Sequence, residues 1–421
     1  MVELTSHTDP EKNSGYQNGA SRMDAAPTLG ECIAWHRRRR GMSQEVLAGL
    51  AGGRTADWLG KVERGRIIID RLSVLQLIAA ALRIPLAKLI DRAGTEPAAA
   101  ALRELDVDVL RATLADYAYL TADEPEDVDL DVLAAEIGET WSAYQDSRYA
   151  RATRRLPDTI HRARVAARAL DGRQKLRAQA HLGMAYQGAA MVLTKIGESD
   201  LAWLAADRGL AAAFAADDRL VLGSLYRSVA HCLLASGRLD AAAATIDNAA
   251  ALLARQSELS PDHLSIYGTL FLVGAMAAAR AGDRREAGRY LDSAGHAADR
   301  LGHDGNRMWT AFGPTTVRMH QVSSALELGD IETAIALGER IDTSALPVER
   351  RVRHKLDLAR AHDARGRRDA AEALLLDANE LAPEQVGSHY ITAALLHSWV
   401  RAPRDTPSRR IAQLADRMGI V

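Results

Sequence analysis

Along most of this chain apolar residues recur three and four positions apart, the period of helices that bury one face. Ile33, Leu47, Leu50, Leu59 and Val62 open the series, and Leu72, Leu75, Leu77, Ile78 and Leu82 continue it. The breaks fall at polar caps and glycines. Thr28-Leu29-Gly30-Glu31 is a capping box, in which a hydroxyl and a carboxylate satisfy each other's backbone N–H, and it starts a helix running to about Arg40. Gly41 stops that helix. Ser43 caps a second, with Leu47 and Leu50 inward and the small Ala48 at the crossing. After Gly52-Gly53, Thr55 caps a third, with Leu59 and Val62 inward. A fourth helix carries Leu72 to Leu82, and Pro85 starts a fifth through Ile90. Five short helices between residues 28 and 93 make one small unit.

Farther along, a longer period overlies the helical one. Gly followed five residues later by Ala recurs as Gly197/Ala202, Gly237/Ala242, Gly282/Ala287, Gly329/Ala334 and Gly366/Ala371, at intervals of 40, 45, 47 and 37 residues. Seven positions before each Gly stand Ala190, Ala230, Ala275, Val322 and Ala359; twelve after it stand Gly209, Ala249, Ala294, Ile341 and Ala378. Small residues in register let paired helices approach closely, and the Gly ends the first helix of each pair. Ser147/Ala152 has the spacing of a degenerate first copy. The chain then divides into a disordered tail (1–27), a helical head (28–93), an acidic linker with one helix near 98–120 (94–131), a repeat body (132–405) and a C-terminal helix or tail (406–421).

Composition fixes the class. Of 421 residues 48% are apolar but only 5% aromatic, and Ala and Leu dominate the apolar set, so the expectation is an all-α protein. The net charge of −2 conceals an asymmetry. Residues 29–93 hold twelve Lys/Arg against six Asp/Glu, a surplus of six, so the remainder carries −8. A basic head on an acidic body suits a protein whose head alone meets phosphates. Arg37 to Arg40 at the end of the first helix fit both its dipole and backbone phosphates.

Catalytic patterns are missing. The two cysteines, Cys32 and Cys232, have no metal spacing, and neither HExxH, a Walker loop, GxGxxG nor GxSxG occurs. His320 and His354 lie on expected helices without a second ligand nearby. No enzyme, metal or cofactor is expected. No apolar run reads as a membrane span and residues 1–27 lack a signal-peptide core, so the expected location is the cytoplasm.

The string Arg37–Arg40, Gly41, Ser43-Gln44, Leu47-Ala48, Gly52 and Val62-Glu63-Arg64-Gly65 resembles the lambda-repressor-like (XRE) class of helix-turn-helix regulators. The variant from Gly52 to Leu75 is similar to an actinobacterial subfamily that joins this head to helical repeats. The resemblance implies that Gln44, Arg54, Thr55 and Asp57 sit at the DNA face, with Ser43 a further DNA-binding candidate. It implies phosphate contacts from Arg38, Lys61, Arg64 and Arg66, and a structural role for Glu63. The turn at Gly52-Gly53 is one residue longer than the commonest spacing, which leaves open which side chain meets which base.

The repeats resemble the tetratricopeptide repeat (TPR), with Pro383 at that motif's closing proline. The motif's inward positions are Met184, Gln187, Met191, Arg227, His231, Thr269, Met276, Thr316, Met319, Arg353 and Arg360. They would line a groove for a peptide or small metabolite, or serve inter-repeat packing. Phe312-Gly313-Pro314-Thr315-Thr316 would be a ligand-lining kink or a plain helix boundary. Together these imply a homodimeric, ligand-sensing transcription regulator on double-stranded, palindromic DNA. The alternative is a TPR scaffold for a protein partner, with DNA binding secondary.

Overall fold

The computed structural model describes residues 28–67, 69, 72–82, 84, 89, 107–116, 128–254, 260–400 and 407–420. Every regular element among them is helical, apart from an isolated bridge between Gly305 and Phe312. The tail, most of the acidic linker and most of the fifth helix expected from Pro85 lie outside the described residues.

The head comprises α1 (Leu29–Arg39), α2 (Gln44–Leu50), α3 (Ala56–Glu63) and α4 (Leu72–Ala81). Thr28 and Glu31 form the capping box; Ser43 and Thr55 cap α2 and α3 by accepting from the amides of Val46 and Trp58. Ile33, Leu47, Ala48, Leu59, Val62, Leu75 and Ile78 share one core. Leu50 does not join it: at 53% exposed it lies on the surface with Val46. The short α2 has one buried flank, which Leu47 and Ala48 fill. A Cβ on Gly30 would stand 2.2 Å from the Val62 carbonyl oxygen, so only glycine lets α1 lie this close to α3.

The body begins with α5 (Val107–Ala115), whose Val107, Leu110 and Leu114 pack into the same core as the helices that follow. By its packing this helix, expected within the linker, is part of the body. Six helical hairpins come next. They are α6 (Leu130–Gln145) with α7 (Tyr149–Ala169), α8 (Gly172–Lys195) with α9 (Ser199–Ala216), and α10 (Arg219–Ala235) with α11 (Leu239–Leu253). The other three are α12 (Pro261–Ala281) with α13 (Arg284–Leu301), α14 (Pro314–Leu328) with α15 (Ile331–Gly338), and α16 (Val348–Ala364) with α17 (Arg368–Leu381). Each tip has one residue in the left-handed region: Ser147, Gly197, Gly237, Gly282, Gly329 and Gly366, with φ of 59, 87, 74, 80, 87 and 71°. Ser147 thus occupies the position that glycine holds in the other five. The alanines five residues on, from Ala152 to Ala371, are buried throughout. This is a TPR-like α-solenoid. It ends in α18 (Pro383–Ser388), with Pro383 in its first turn, α19 (Tyr390–Val400) and α20 (Arg409–Arg417).

The solenoid coils far enough for its ends to meet. Ser147 Oγ donates to Gln385 Oε1 at 2.6 Å, and the Ala150 amide donates to Glu384 Oε2 at 2.8 Å. Lys195, ending α8, pairs with Glu349, starting α16, and Gln385 Nε2 reaches the Glu349 carbonyl at 3.1 Å. The segment before α14 also crosses to the first hairpin. Trp309 stacks on Trp141 with centroids 5.5 Å apart, and Asn306 and Gln145 exchange amide hydrogen bonds at 2.8 Å. The body is a closed ring. Phe312 is fully buried and Pro314 opens α14, so the Phe312–Thr316 stretch is a helix boundary.

Candidate nucleic-acid interface and ring interior

Three helices of the head converge on one carboxylate. Glu63, the last residue of α3, is buried; Arg37 of α1 donates Nε to Oε1 at 2.5 Å and Nη2 to Oε2 at 2.9 Å. Gln44, the first residue of α2, donates Nε2 to Oε2 at 2.7 Å, and Arg37 Nη1 donates to the Met42 carbonyl at 2.8 Å. Burial pushes the Glu63 carboxyl up, but the hydrogen bonds from Arg37 and Gln44 outweigh it and hold the group below the ordinary carboxylate value. One anion thereby sets the orientation of α3 against α1 and α2. Gln44, implied at the DNA face, has its amide nitrogen engaged by Glu63 while the residue stays partly exposed. Arg37 likewise turns inward, whereas Arg38, Arg39 and Arg40 are exposed.

What α3 presents outward is mostly polar. Arg54, Thr55 and Asp57 are exposed and Lys61 partly so; the Lys61 ammonium stands 2.7 Å from Asp57 one turn away. Arg54 lies over the Trp58 ring at 5.3 Å from its centroid, and the Thr55 hydroxyl accepts from the Trp58 amide at 3.2 Å. Arg64 and Arg66 follow the helix, exposed, and Ser43 is exposed at the start of α2. Gly52 and Gly53, both at positive φ, carry the chain between α2 and α3. Asp57 and Lys61 share one face of α3 by spacing, with Arg54 just before its cap, a surface of the size that enters a DNA major groove.

The inward positions of the body do not line an open groove. Gln187 Nε2 pins α8 to α10, donating to the Ser224 carbonyl at 2.8 Å and its Oγ at 2.7 Å. The Thr269 hydroxyl returns to the carbonyls of Ser265 and Ile266, and that of Thr316 to the Ala311 carbonyl. Met184, Met191, Met276 and Met319 are buried, and the Ser324 hydroxyl lies 3.9 Å from Met276 Sδ. Arg360 pairs with Glu327 at 3.1 Å in the interior. Of the eleven positions only His231 and Arg353 keep partial exposure. Closure of the ring turns a concave wall into packed interior.

That interior is charged. Arg353 pairs with Asp357 at 3.2 Å and its Nη1 lies 3.4 Å from His389 Nε2; Ser323 donates to Asp357 at 2.6 Å. Burial raises the Glu349 carboxyl, but Lys195 and Arg350 more than compensate and hold it well below the carboxylate range. Burial and the cations beside them push His231 and His389 far below the usual imidazole value, and His320 to about 4. Lys195, Glu349, Arg350, Asp357 and His389 escaped the sequence reading, and His320 was read there only as a helical histidine without a second ligand. Lys195 and Glu349 stand 154 residues apart in sequence, and only ring closure brings them together.

The head is a helix-turn-helix unit, and residues 28–90 match the family model described as a helix-turn-helix domain. No curated protein matches the chain in sequence. Among solved structures, Rap protein complexed with competence and sporulation factor is 12% identical, over 85% of this chain and 100% of that one, with a TM-score of 0.46. ComR from S. thermophilus, in complex with DNA and its signalling peptide ComS, is 12% identical over 84% of this chain and 99% of its own, with a TM-score of 0.32. PlcR from Bacillus thuringiensis, in complex with the peptide PapR7 and DNA, is 14% identical over 66% and 96%, with a TM-score of 0.28. At TM-scores this low the overlays carry no functional argument. One described helix, α12, is long and apolar enough to cross a membrane by length and composition, but 83% of that window is buried within the protein.

Proposed function

We propose that this protein is a sequence-specific transcription regulator whose ring-shaped body responds to an effector. The observation that carries the reading is the basic head. It is matched over 28–90 by a helix-turn-helix model, with α3 held by Glu63 so that Arg54, Asp57 and Lys61 face outward. In this reading α3 lies in the major groove, and Arg38, Lys61, Arg64 and Arg66 hold phosphates. Two copies would present paired heads to a palindromic operator, with half-sites spaced by about one helical turn of DNA or a multiple, roughly 34–36 Å. Effector binding in the ring would shift the population between two shapes of the body and so the spacing of the heads. Such a protein acts in the cytoplasm, on the nucleoid.

The test is binding of the purified chain to its own upstream DNA and to random duplex over a range of salt. A regulator prefers the former, with affinity falling steeply as salt rises. Equal, weak binding to both removes this reading. The alternative, a TPR scaffold for a protein partner with DNA binding secondary, draws less support because it leaves the helix-turn-helix head without its main role.

A further inference from the structure

Among the described residues the ring interior brings together five cations, Lys195, Arg227, Arg350, Arg353 and Arg360, and three carboxylates, Glu327, Glu349 and Asp357. The carboxylates are accounted for. Glu327 is taken by Arg360, Asp357 by Arg353 and Ser323, and Glu349 by Lys195, with Arg350 3.6 Å away. Arg227 is left out. It is only 2% exposed, yet its Nε and Nη2 meet no acceptor among the described residues. Of the charged groups that act on it, Arg350 is adverse and Glu349 is already bound to Lys195; the Tyr144 phenol is the remaining neighbour. Burial lowers the guanidinium to about 10, so it stays charged at neutral pH.

Elsewhere the chain shows what this edge of a guanidinium binds. In the head, Nε and Nη2 of Arg37 take both oxygens of Glu63 in a two-pronged pair. Arg227 offers the identical edge, inside the ring, with no protein carboxylate to fill it. An unpaired buried cation is unfavourable. Arg350 acts on it directly, and Arg227, Lys195 and Arg350 all act on His231; Lys195, His231 and Arg350 keep partial exposure.

We infer that Arg227, with Arg350 and Lys195 beside it, is the recognition point for an oxyanion, the carboxylate or phosphate of a small ligand bound inside the ring. This deepens the effector reading and rests on it only for its consequence at DNA. The anion takes the Nε–Nη2 edge of Arg227 with two oxygens, and Arg350 and Lys195 supply the longer-range attraction. Gln187, one hairpin over, has a buried Oε1 without a donor and would accept from a hydroxyl or amide on the same ligand.

The experiment is thermal unfolding of the full chain, titrated with inorganic phosphate or with succinate against chloride at equal ionic strength. The expected result is a rise in melting temperature that saturates at millimolar concentration with one of the two. An excluded-salt effect instead grows steadily with concentration. The anion that works tells phosphate from carboxylate chemistry. Arg227→Met should abolish the saturable effect while melting, without anion, no lower than the parent. Arg227→Lys keeps charge and length but loses the two-pronged edge, and should weaken the effect at least about tenfold, a check that stands even if the Met variant does not fold. No saturable effect beyond chloride, or one that survives in either variant at full strength, overturns the inference. Loss of the anion site leaves DNA binding by the head intact, whereas failure of the regulator reading shows as absent operator preference with the anion effect still present.

Discussion

Arg37 Nε and Nη2 clamp both carboxylate oxygens of Glu63 at 2.5 and 2.9 Å, joining the first helix of the head to the end of the third. Both side chains are buried, so removing one strands the other. Glu63→Ala should destabilise the head by about 3–5 kcal/mol, read as an earlier first transition in urea with the body's transition unmoved. The Glu63 carboxyl is held below its unfolded value near 4.5, so its contribution is present above that pH and lost as pH falls through the lower folded value. Operator binding should disappear with the fold of the head.

Arg64 and Arg66 are exposed and lie outside the core of the head. Replacing both with Ala should leave the melting curve in place and reduce the slope of log affinity against log salt by about 1.8, near 0.9 per phosphate contact. Arg54→Ala should behave differently. It should narrow the gap between operator and random duplex by about tenfold, with little change in the salt slope.

The body should be sensitive to acid below neutrality. His320, its Nδ1 at 2.9 Å from the Thr316 carbonyl, is depressed to about 4, by burial and then by Arg350. The folded state therefore binds this proton less readily than the unfolded chain, whose value is near 6.5. Stability falls as pH drops from about 6.5 toward 4, and the depressed Glu349 adds to the loss at lower pH. Melting temperature against pH should decline over that window, and His320→Gln should flatten the upper part. A flat profile in the parent chain would count against a neutral imidazole in the interior.

Ser147 combines a left-handed backbone with a seam hydrogen bond, and two substitutions separate them. Both Ser147→Ala and Ser147→Gly remove the donor to Gln385, at a cost of about 1–3 kcal/mol. Glycine recovers about 1 kcal/mol through its tolerance of φ 59°, so Ser147→Gly should be the more stable of the two. Gly329→Ala, at φ 87° with no compensating bond, should cost about 1–2 kcal/mol.

The hairpins were legible because their signal is local. A left-handed tip selects glycine, close helix crossing selects alanine, and both recur at fixed offsets. Nine of the eleven positions taken as inward are buried and His231 and Arg353 are partly so. Their environment was not legible, because Gln385 meets Ser147 across 238 residues and no periodicity encodes how far a solenoid coils. In the head, the three-residue spacing placed Leu59 and Val62 rightly but gave Leu50 a core position that a seven-residue helix does not have. Gln44 was placed at the DNA face by the motif it belongs to; that its amide also holds Glu63, 19 residues on, no local pattern shows. Arg227 was singled out by its register, but that it lacks a partner is a property of the folded ring alone.

An open solenoid deforms like a spring, each hairpin yielding a little against its neighbours. A ring does not have that freedom. A rotation at one hairpin must be absorbed by all the others, or the seam formed by Ser147–Gln385, Ala150–Glu384 and Lys195–Glu349 must part as a unit. The seam thus works as a latch, and a body built this way answers its stimulus by threshold, shut or sprung, where an open superhelix would answer by degrees.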